Sequence, residues 1–338
     1  MLARFTTDVI SSCAFGIETK SLDNPDSEFR KYGKRIFENP IRTVLLNIVR
    51  NVYPPILTFL QIRVLSKDLT DFFINTVRDT IAYREHNNIM RSDFLQILIQ
   101  LLKAGKVENV DKSSVVNLSD RELVEKFSLN EAAAQLFVFF LAGFETSSSA
   151  LTYGLYEFAL NPELQKRLQE EIDETMDKLD GQITYEALHE MEYLDMVVQE
   201  ILRKYPSLGI LQRKCTTEYP LPELGFTIEK GTKVFISAKG IQRDPNIYPN
   251  PEKFDPQRFA PEEKKKMDPM TYLPFGEGPR NCIGSRFGLM QMKVALVSIF
   301  KSYNVEVCEK TPIPLVLSVR GLFPGPIGGM PLIFTMRK

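Results

Sequence analysis

The sequence predicts a mainly α protein with small β-sheets, an α+β fold. Residues 1 to 205 repeatedly place apolar residues at helical spacing, whereas residues 206 to 338 contain short β-type runs between proline- and glycine-rich turns. The 338 residues are 43% hydrophobic and 25% charged, a composition that can bury a large core. We therefore expect a single domain over residues 1–338, with a helix-rich part to residue 205 and a part rich in turns and short strands from residue 206.

Two amphipathic helices are expected in the first third of the chain. The segment SKDLTDFFINTVRDTIAYREH carries one apolar stripe, and RSDFLQILIQLL carries another. The stripe residues are Leu69, Phe72, Phe73 and Val77 in the first segment and Leu95, Leu98, Ile99 and Leu102 in the second. Residues 103–120 are polar and lack periodicity, so we expect a loop there.

The longest helix is expected to begin near Ser128. Ser128 and Glu131 form a capping-box pattern, and Asn161-Pro162 marks the end, which gives a helix of more than thirty residues. Its most apolar stretch, residues 132–144, is about as long as a buried core helix and too short to span a bilayer. We expect this stretch to lie in the interior of the protein.

The second half mixes helices, strands and irregular segments. We expect a charged helix from Pro162 to near Gly181, another that stops at Pro206, and a third over residues 286–303. The runs LQRKCTT and KVFISAKG are of β type, and the proline-rich stretch IYPNPEKFDPQRFAPEE is irregular. The tail, with GPIGG between LFP and MPLIFTM, predicts a β-hairpin.

Charge and cysteine content exclude several classes of function. With 42 basic and 43 acidic side chains the formal net charge is −1, so nothing favours nucleic acid as a partner. The four cysteines show no CxxC spacing and the two histidines are far apart, so neither a disulfide framework nor a structural zinc site is encoded locally. A reducing, intracellular compartment is the simpler interpretation. The chain shows no signal-peptide pattern and no run of eighteen apolar residues.

The stretch PFGEGPRNCIGSRFG surrounds Cys282 with glycines. A cysteine just ahead of a helix N-terminus meets backbone N–H groups and the positive end of the helix dipole, which favour thiolate over thiol. Phe275 offers an apolar wall, and Arg280 a planar fork for a carboxylate. The glycines that would allow unusual backbone angles and the close approach of a flat group are Gly276, Gly278 and Gly284. From the cysteine and glycines alone, an inert buried cysteine beside a glycine turn is an equally good interpretation.

The string FGEGPRNCIG resembles the haem-binding signature of the cytochromes P450, with six positions at that family's spacing. The resemblance implies the cytochrome P450 fold, in which a long central helix lies over a haem held by a cysteine loop. It implies that Cys282 is the axial thiolate of haem b (iron protoporphyrin IX) and that Arg280 pairs with a haem propionate. Phe275 would pack near the sulfur, and Gly284 would let the main chain wrap it. Thiolate ligation pushes electron density onto iron and favours O–O cleavage.

A second motif, AGFETSS at residues 142–148, lies in the long helix and resembles the family's oxygen-activation segment. The resemblance implies that Gly143 lets the helix loosen locally, and that Thr146, preceded by Glu145, faces the haem-bound oxygen. A hydroxyl beside a carboxylate in an apolar helix is costly unless it is hydrogen-bonded or functional. The alternative is that Thr146 bonds back to its own helix while Glu145 is solvated.

Three further charged residues match the family in order. EILR places Glu200 and Arg203 on one helix face, a spacing most often found in surface pairs, and here it matches the ExxR motif. With Arg258 of DPQRF, the resemblance implies a buried ionic cluster that locks the irregular stretch behind the haem loop. Arg213 in LQRKC falls where family members carry a second propionate-binding arginine.

The resemblance covers essentially the whole chain and is closest to insect microsomal members that oxidise foreign (xenobiotic) and lipophilic compounds. It implies a monooxygenase that inserts one atom of O2 into a lipophilic small molecule. Electrons from NADPH would arrive through NADPH-cytochrome P450 reductase, with cytochrome b5 as a possible second partner. Basic residues, among them Arg286 and the run at residues 264–266, are candidates for docking an acidic reductase.

Parts of the family pattern do not occur in this sequence. Full-length members begin with a membrane anchor, a proline-rich hinge, part of the main β-sheet and a helix carrying a tryptophan, and this chain contains no tryptophan. The chain thus resembles the C-terminal two-thirds of the enzyme, a single domain incomplete at its N-terminus. For the full-length protein the resemblance implies membrane association at the cytoplasmic face of the endoplasmic reticulum, in the microsomal fraction.

Two alternatives from other classes stay open at this point. The chain could be a catalytically silent fragment whose haem affinity has fallen, or a haem-thiolate isomerase or peroxygenase that needs no reductase. The Glu145-Thr146 pair argues against the isomerase or peroxygenase, because that chemistry does not require proton delivery to bound oxygen.

Overall fold

The computed structural model describes residues 1–36, 45–46, 48–49, 53, 55–63, 65–104, 127–318 and 325–337. These residues form two compact units, one within Met1–Ser148 and the other comprising Ser149–Ser318 and the C-terminal residues. The described structure is mainly helical, and its strands form small two-stranded sheets after residue 210. The predicted fold class, mainly α with small β-sheets, is confirmed.

The first unit is built from helices and one π-helical turn. The helices are α1 (Leu2–Ile10), α2 (Glu28–Arg35), α3 (Pro55–Phe59), α4 (Lys67–His86), α5 (Phe94–Ala104) and the first part of α6 (Leu129–Leu160). Both predicted amphipathic helices are present as α4 and α5, and the stripe residues Leu69, Phe73 and Val77 are buried. Of the predicted polar loop, Lys103 and Ala104 belong to α5, and residues 105–120 lie outside the described residues.

A cluster of phenylalanines forms the core of the first unit. Phe29 of α2 lies 5.3 Å from Phe15 and 5.7 Å from Phe140 between ring centroids, both edge to face. Phe73 of α4 lies 5.3 Å from Phe140. Aromatic pairs of this kind contribute about 0.5–1.5 kcal/mol each beyond their buried area. The cluster fixes the middle of α6, less than two turns before the AGFETSS motif.

The long helix α6 begins as its capping box predicts. The backbone N–H of Ser128 donates to the Glu131 carboxylate at 2.6 Å, and the N–H of Glu131 donates to the Ser128 hydroxyl at 3.3 Å. The prediction that residues 132–144 lie wholly in the interior is wrong for one face, because Val138 is 55% exposed and Ala142 is exposed. Among the described helices, α6 alone has the length and apolar composition to cross a membrane, a criterion that core helices of soluble proteins also meet.

The second unit continues α6 and adds further helices. They are α7 (Pro162–Lys178), α8 (Tyr185–Glu190), α9 (Glu192–Lys204), α10 (Ala238–Ile241), α11 (Pro261–Lys264) and α12 (Ser285–Phe300). Helix α9 is buried along almost its whole length. Its first turn is capped from α7, because the Glu171 carboxylate accepts the N–H groups of Tyr193 at 2.7 Å and Leu194 at 2.8 Å. This contact fixes the N-terminus of α9, the buried helix that carries Glu200 and Arg203.

The strands pair antiparallel in three small sheets. They are β1 (Leu211–Lys214) with β4 (Lys233–Ile236), β2 (Tyr219–Leu221) with β3 (Phe226–Ile228), and β5 (Tyr303–Val307) with β6 (Leu332–Met336). The two predicted β-type runs are β1 and β4, although the second run turns into α10 at Ala238. In register, Arg213 of β1 faces Val234 of β4.

One sequence expectation for the C-terminal part was wrong, and a second falls partly outside the described residues. The helix expected over residues 286–303 ends at Phe300, and Tyr303 already begins β5. The expected tail hairpin falls partly outside the described residues, because its LFP arm is residues 322–324. Its other arm contains β6, which pairs with β5. Gly328 and Gly329 have φ of +81° and +85°, so the predicted turn residues adopt the left-handed conformation that favours glycine.

Candidate functional site

The loop before α12 presents Cys282 to the surface. Gly276 and Gly278 have φ of +69° and +83°, the left-handed conformation that favours glycine. The Cys282 N–H donates to the Phe275 carbonyl at 2.9 Å, which closes the loop. Gly284 does not adopt an unusual angle, since its φ is −91° at the N-cap of α12, and that part of the prediction was wrong. A Cβ at Gly284 would lie 4.0 Å from the Cys282 Sγ, so Gly284 keeps the space beside the sulfur open.

Residues from β1 and α12 border this loop. A Cβ on Gly276 would lie 3.6 Å from the Arg213 guanidinium, so Arg213 lies over the glycine-rich turn. Phe275 lies against α12, because a Cβ on Gly288 would lie 4.0 Å from its ring. Arg280 is exposed, and Ile283 is 86% exposed. Cationic and apolar side chains thus lie on or beside the loop that carries the cysteine.

The residues around Cys282 fit a haem. The thiol is free and exposed, with no hydrogen-bond partner among the described residues. A thiolate is a soft ligand suited to iron. The described chain contains no group of three or more His, Cys, Asp or Glu side chains that could hold a metal ion unaided. A porphyrin supplies four nitrogen ligands of its own, so a single protein thiolate is sufficient for that group.

Glu200, Arg203 and Arg258 meet in a buried cluster in the second unit. The Arg203 Nε donates to the Glu200 carboxylate at 2.6 Å, and a second Arg203 nitrogen does so at 2.9 Å, which makes a bidentate pair with both side chains fully buried. The Arg258 Nε lies 3.6 Å from the same carboxylate. The carboxylate also accepts the N–H of Asp255 at 2.8 Å. The cluster therefore anchors the irregular proline-rich stretch to α9.

Arg203 also reaches the main chain on the far side of this cluster. Its guanidinium donates to the carbonyl oxygens of Gln242 and Pro251, each at 2.8 Å. Planar, bidentate recognition together with two carbonyl contacts uses the fork of donors that only arginine carries. Lysine at this position could not make the same set of bonds.

Gln242 links this cluster to the cysteine loop, and sequence reasoning missed it. Its amide donates to the carbonyl oxygens of Leu202 at 3.1 Å and Arg203 at 2.9 Å, and its Oε1 accepts the Leu273 N–H at 2.7 Å. Leu273 directly precedes the stretch that carries Cys282. A single buried glutamine in a polar-looking segment gives no sequence signal for such a link.

A second buried polar group also escaped the sequence analysis. The Glu157 carboxylate of α6 lies 2.8 Å from the Lys204 ammonium and accepts a hydrogen bond from the Tyr205 hydroxyl. Burial and the neighbouring Glu157 charge raise the pKa of Tyr205 well above its usual range. All three side chains are buried, so this group ties the second part of α6 to the end of α9.

The AGFETSS motif lies in the part of α6 that belongs to the first unit. The Thr146 hydroxyl donates to the Ala142 carbonyl at 2.6 Å, the back-bonding that the alternative interpretation expected. Glu145 is not solvated as that interpretation required. It is half-buried, and desolvation raises the pKa of its carboxyl, an effect that the Arg30 charge partly offsets.

The expectation for Gly143 was wrong. The helix is continuous from Leu129 to Leu160, without local loosening at Gly143. A Cβ at Gly143 would lie 2.7 Å from the Cδ1 of Ile10, closer than real Cβ contacts come. The residue therefore lets α1 approach α6.

The structure groups the predicted site residues into two sets. Cys282, its loop, Arg213 and the ionic cluster belong to the second unit, whereas Glu145 and Thr146 belong to the first. The basic run at residues 264–266 offers less free charge than expected. Lys265 pairs with Glu262 at 2.8 Å and Lys266 with Glu263 at 2.7 Å.

Comparison with known proteins assigns the family. The model of the cytochrome P450 family matches residues 1–326. The probable cytochrome P450 6a13 of Drosophila melanogaster is 44% identical over 320 residues, which cover 95% of this chain and 62% of that protein. Cytochrome P450 6k1 of Blattella germanica is 44% identical over 337 residues, covering 98% and 64%. Cytochrome P450 6A1 of Musca domestica is 43% identical over 327 residues, covering 95% and 62%.

The chain spans less than two-thirds of the length of these curated relatives, since the matches cover 62% to 64% of them. The similarity extends over nearly all of this chain and includes the segments that carry Cys282, the ionic cluster and the AGFETSS motif. The chain belongs to the cytochrome P450 family.

Proposed function

We propose that this chain is the haem-binding part of a monooxygenase that inserts one oxygen atom of O2 into a lipophilic small molecule. The observation that carries the proposal is the free, exposed thiol of Cys282 on a loop closed by the Phe275 carbonyl. The family relationship supports the same activity. The alternative of a reductase-independent enzyme makes a different prediction for the experiment below, and a silent fragment would yield no product with any substrate.

The cysteine loop would hold the haem. Cys282 would ligate the iron, with Gly284 leaving room beside the sulfur and Phe275 packing near it. Arg280 and Arg213 would bind the propionates, since guanidinium groups form strong paired hydrogen bonds with carboxylates. When bound, a thiolate-ligated haem supplies the chemistry that activates O2.

Residues of α6 would contact the substrate and transfer a proton. Val138 and Ala142 are exposed and apolar and precede Thr146 at intervals of four residues on one helix face, so they would contact a lipophilic substrate and exclude water. Glu145 would take a proton from solvent, and the Thr146 hydroxyl would pass it on after releasing the Ala142 carbonyl. Gly143 would keep this segment packed on α1.

The partners and location follow from the same proposal. Electrons would come from NADPH through NADPH-cytochrome P450 reductase, with cytochrome b5 as a second donor. Arg286 is exposed and is a candidate contact for an acidic reductase. The substrates would include foreign compounds, and the full-length protein would reside on the cytoplasmic face of the endoplasmic reticulum membrane. Nucleic acid is not expected as a partner, because the formal net charge is −1.

The test measures how much of the consumed NADPH appears as oxygenated product. Haem-loaded protein, reductase, NADPH and 18O2 are incubated with a lipophilic substrate that yields product with the unaltered chain. Thr146→Ala should still consume NADPH, but the fraction coupled to labelled product should fall by about tenfold or more, since proton delivery is lost.

A matched control exists on α7. The Thr175 hydroxyl also bonds back within its helix, to the Glu171 carbonyl at 2.8 Å, so Thr175→Ala removes a comparable bond away from the motif. Thr175→Ala should leave coupling unchanged. Equal coupling in both variants would remove Thr146 from the proton path. Product without 18O, or product formed without NADPH, would favour the reductase-independent alternative.

A further inference from the structure

A small cavity in the second unit has positively charged walls. Its volume is about 40 Å³, and it lies where the end of α9, the residues that follow it and α10 meet α6. Three cationic side chains line it, namely Lys204, Lys239 and Arg243. Among the described residues that line this cavity, none is an aspartate or a glutamate. A cavity with cationic walls and no acidic ones favours an anion as its occupant.

Definite contacts hold the three cationic residues around the cavity. The Lys204 ammonium lies 5.7 Å and the Arg243 guanidinium carbon 6.0 Å from the centroid of the Tyr205 ring. Arg243 also donates to the Lys204 carbonyl at 2.9 Å. The third residue is held through its backbone, because the Lys239 N–H donates to the Gly209 carbonyl at 3.0 Å. The packing of the second unit therefore fixes where all three residues enter the cavity wall.

Two of the three positive charges are already balanced by carboxylates. Lys204 pairs with Glu157 at 2.8 Å, and Arg243 pairs with Glu252 at 2.8 Å. Neither carboxylate lines the cavity. Within the described part of the chain, no carboxylate oxygen lies within 4.0 Å of the Lys239 ammonium. The cavity thus keeps one unbalanced positive charge, which matches a monoanion better than a dianion.

Arg243 also carries an unused hydrogen-bond donor. One of its terminal nitrogens donates to Glu252 and the other to the Lys204 carbonyl. Its Nε is buried and has no hydrogen-bond partner among the described residues. Buried donors in proteins are nearly always paired with the protein, with water or with a ligand. An oxygen of an anion in the cavity would supply the missing acceptor.

The size of the cavity limits what can enter it. A single water needs about 10–15 Å³, so this cavity holds a small head group and not a whole drug-sized molecule. Two serines, Ser149 and Ser207, also line the cavity, and a serine hydroxyl can donate to an anion.

We propose that this cavity binds the carboxylate group of a small organic acid. The unbalanced charge of Lys239 would attract the monoanion, and the Arg243 Nε and the serine hydroxyls would donate to its oxygens. None of these residues takes part in the proposed binding of haem, substrate or proton. The inference therefore goes beyond the proposed function and does not rest on it.

Binding of acetate to the full chain tests the proposal. Saturation-transfer NMR follows the acetate methyl signal as acetate replaces chloride at constant ionic strength, and the transfer should saturate. In Lys239→Gln the dissociation constant should rise about tenfold, because a contact with a charged donor is lost. Ser207→Leu fills the cavity without changing any charge and should weaken binding at least as much. Lys239 is exposed, so its replacement should leave the fold intact, which the melting temperature checks.

Two control variants remove a positive charge outside the cavity. Lys230 is exposed and, among the described residues, has no carboxylate oxygen within 4.0 Å of its ammonium, so Lys230→Gln is matched to Lys239→Gln. Arg280→Gln removes an exposed guanidinium from the cysteine loop. Both variants should bind acetate as the unaltered chain does.

The outcomes decide the inference separately from the proposed function. Weaker binding in Lys239→Gln and in Ser207→Leu, with both controls unchanged, supports it. Absence of saturable transfer, or full binding in either cavity variant, overturns it. Loss of binding in Arg280→Gln would place acetate at the cysteine loop and overturns it as well. Inorganic phosphate at alkaline pH is a dianion, and if it binds more tightly than acetate the assignment to a carboxylate is overturned. No step of this experiment requires haem, so its failure leaves the proposed function standing.

Discussion

Glu145 is a carboxyl group placed half-buried in an apolar helix, and its placement opposes folding at neutral pH. Desolvation raises the pKa of this carboxyl above its usual 4.5. Between the two values the folded protein binds the proton more tightly than the unfolded chain does, so stability falls as the pH rises through this window. Residues that cost stability in this way are typical of functional sites.

Neutralising Glu145 should therefore stabilise the protein. Glu145→Gln should be more stable than the unaltered chain at neutral pH, and the difference should vanish below pH 4.5, where the carboxyl is protonated in both states. Urea unfolding at a series of pH values measures this. Glu131→Gln on the same helix should have the opposite sign, because bonds from Ser128 lower the pKa of Glu131 and its contribution is present at neutral pH and lost in acid. Equal effects of the two variants would contradict the account.

For single residues, the sequence predicts local backbone conformation better than contacts with distant parts of the chain. The left-handed Gly276 and Gly278 were predictable, because no other residue adopts that conformation at low cost. Gly143 was not, since the reason for it is the Ile10 side chain of another helix. The role of Gln242 could not be predicted for the same reason, because its partners Leu202 and Leu273 lie more than thirty residues away on either side in the sequence.

Among the helices and strands that the structure describes, α9 carries the most buried charged side chains, namely Glu200, Arg203 and Lys204. Its Glu200 and Arg203 connect α9 to the irregular stretch, and Glu171 of α7 caps its N-terminus. Burying an ion pair costs desolvation energy that offsets much of the attraction between the charges. We therefore expect the pair to specify the packing of α9 against the irregular stretch more than to add net stability. The arrangement fixed here is that of the segments leading to the cysteine loop.

Removing the charge of Glu200 should be costly. Glu200→Gln strands the buried Arg203 guanidinium and should lower the free energy of unfolding by about 3–5 kcal/mol. The control is Glu252→Gln, whose carboxylate pairs with Arg243 at 2.8 Å but is 69% exposed. That change should cost no more than about 1 kcal/mol. Chemical denaturation measures the free energy of unfolding of both variants. Similar losses would show that the buried cluster around Glu200 contributes no more to stability than an exposed ion pair.

Helices were more predictable than strand pairing. The caps and stripes of α4, α6 and α7 are local signals, so their bounds were close to those observed. The pairing of β5 with β6 joins residues separated by about thirty positions, so no local sequence signal specifies it. The continuous helicity of α6 at Gly143 likewise depends on its neighbours.

For the whole molecule, the short string around Cys282 is sufficient to indicate the family without knowledge of the fold. The family assignment is confirmed by the match over residues 1–326. The single-domain interpretation of residues 1–338 stays a prediction. The assignments of Cys282, Arg280, Phe275, Gly284 and Arg213 to a haem also stay predictions, because they concern a group that the chain must bind from outside. Periodicity and turn residues do not encode affinity for a ligand.

The central claim is that the Cys282 thiolate ligates haem iron, and one spectrum tests it. The protein is loaded with haem, reduced and exposed to carbon monoxide, and its Soret absorption is compared with that of Cys282→Ser. Cys308→Ser serves as the control, since Cys308 is a free cysteine held near Thr311. The account predicts a strongly red-shifted band in the unaltered protein and in Cys308→Ser, and its loss in Cys282→Ser. The same spectrum in Cys282→Ser, or no red-shifted band in the unaltered protein, would contradict it.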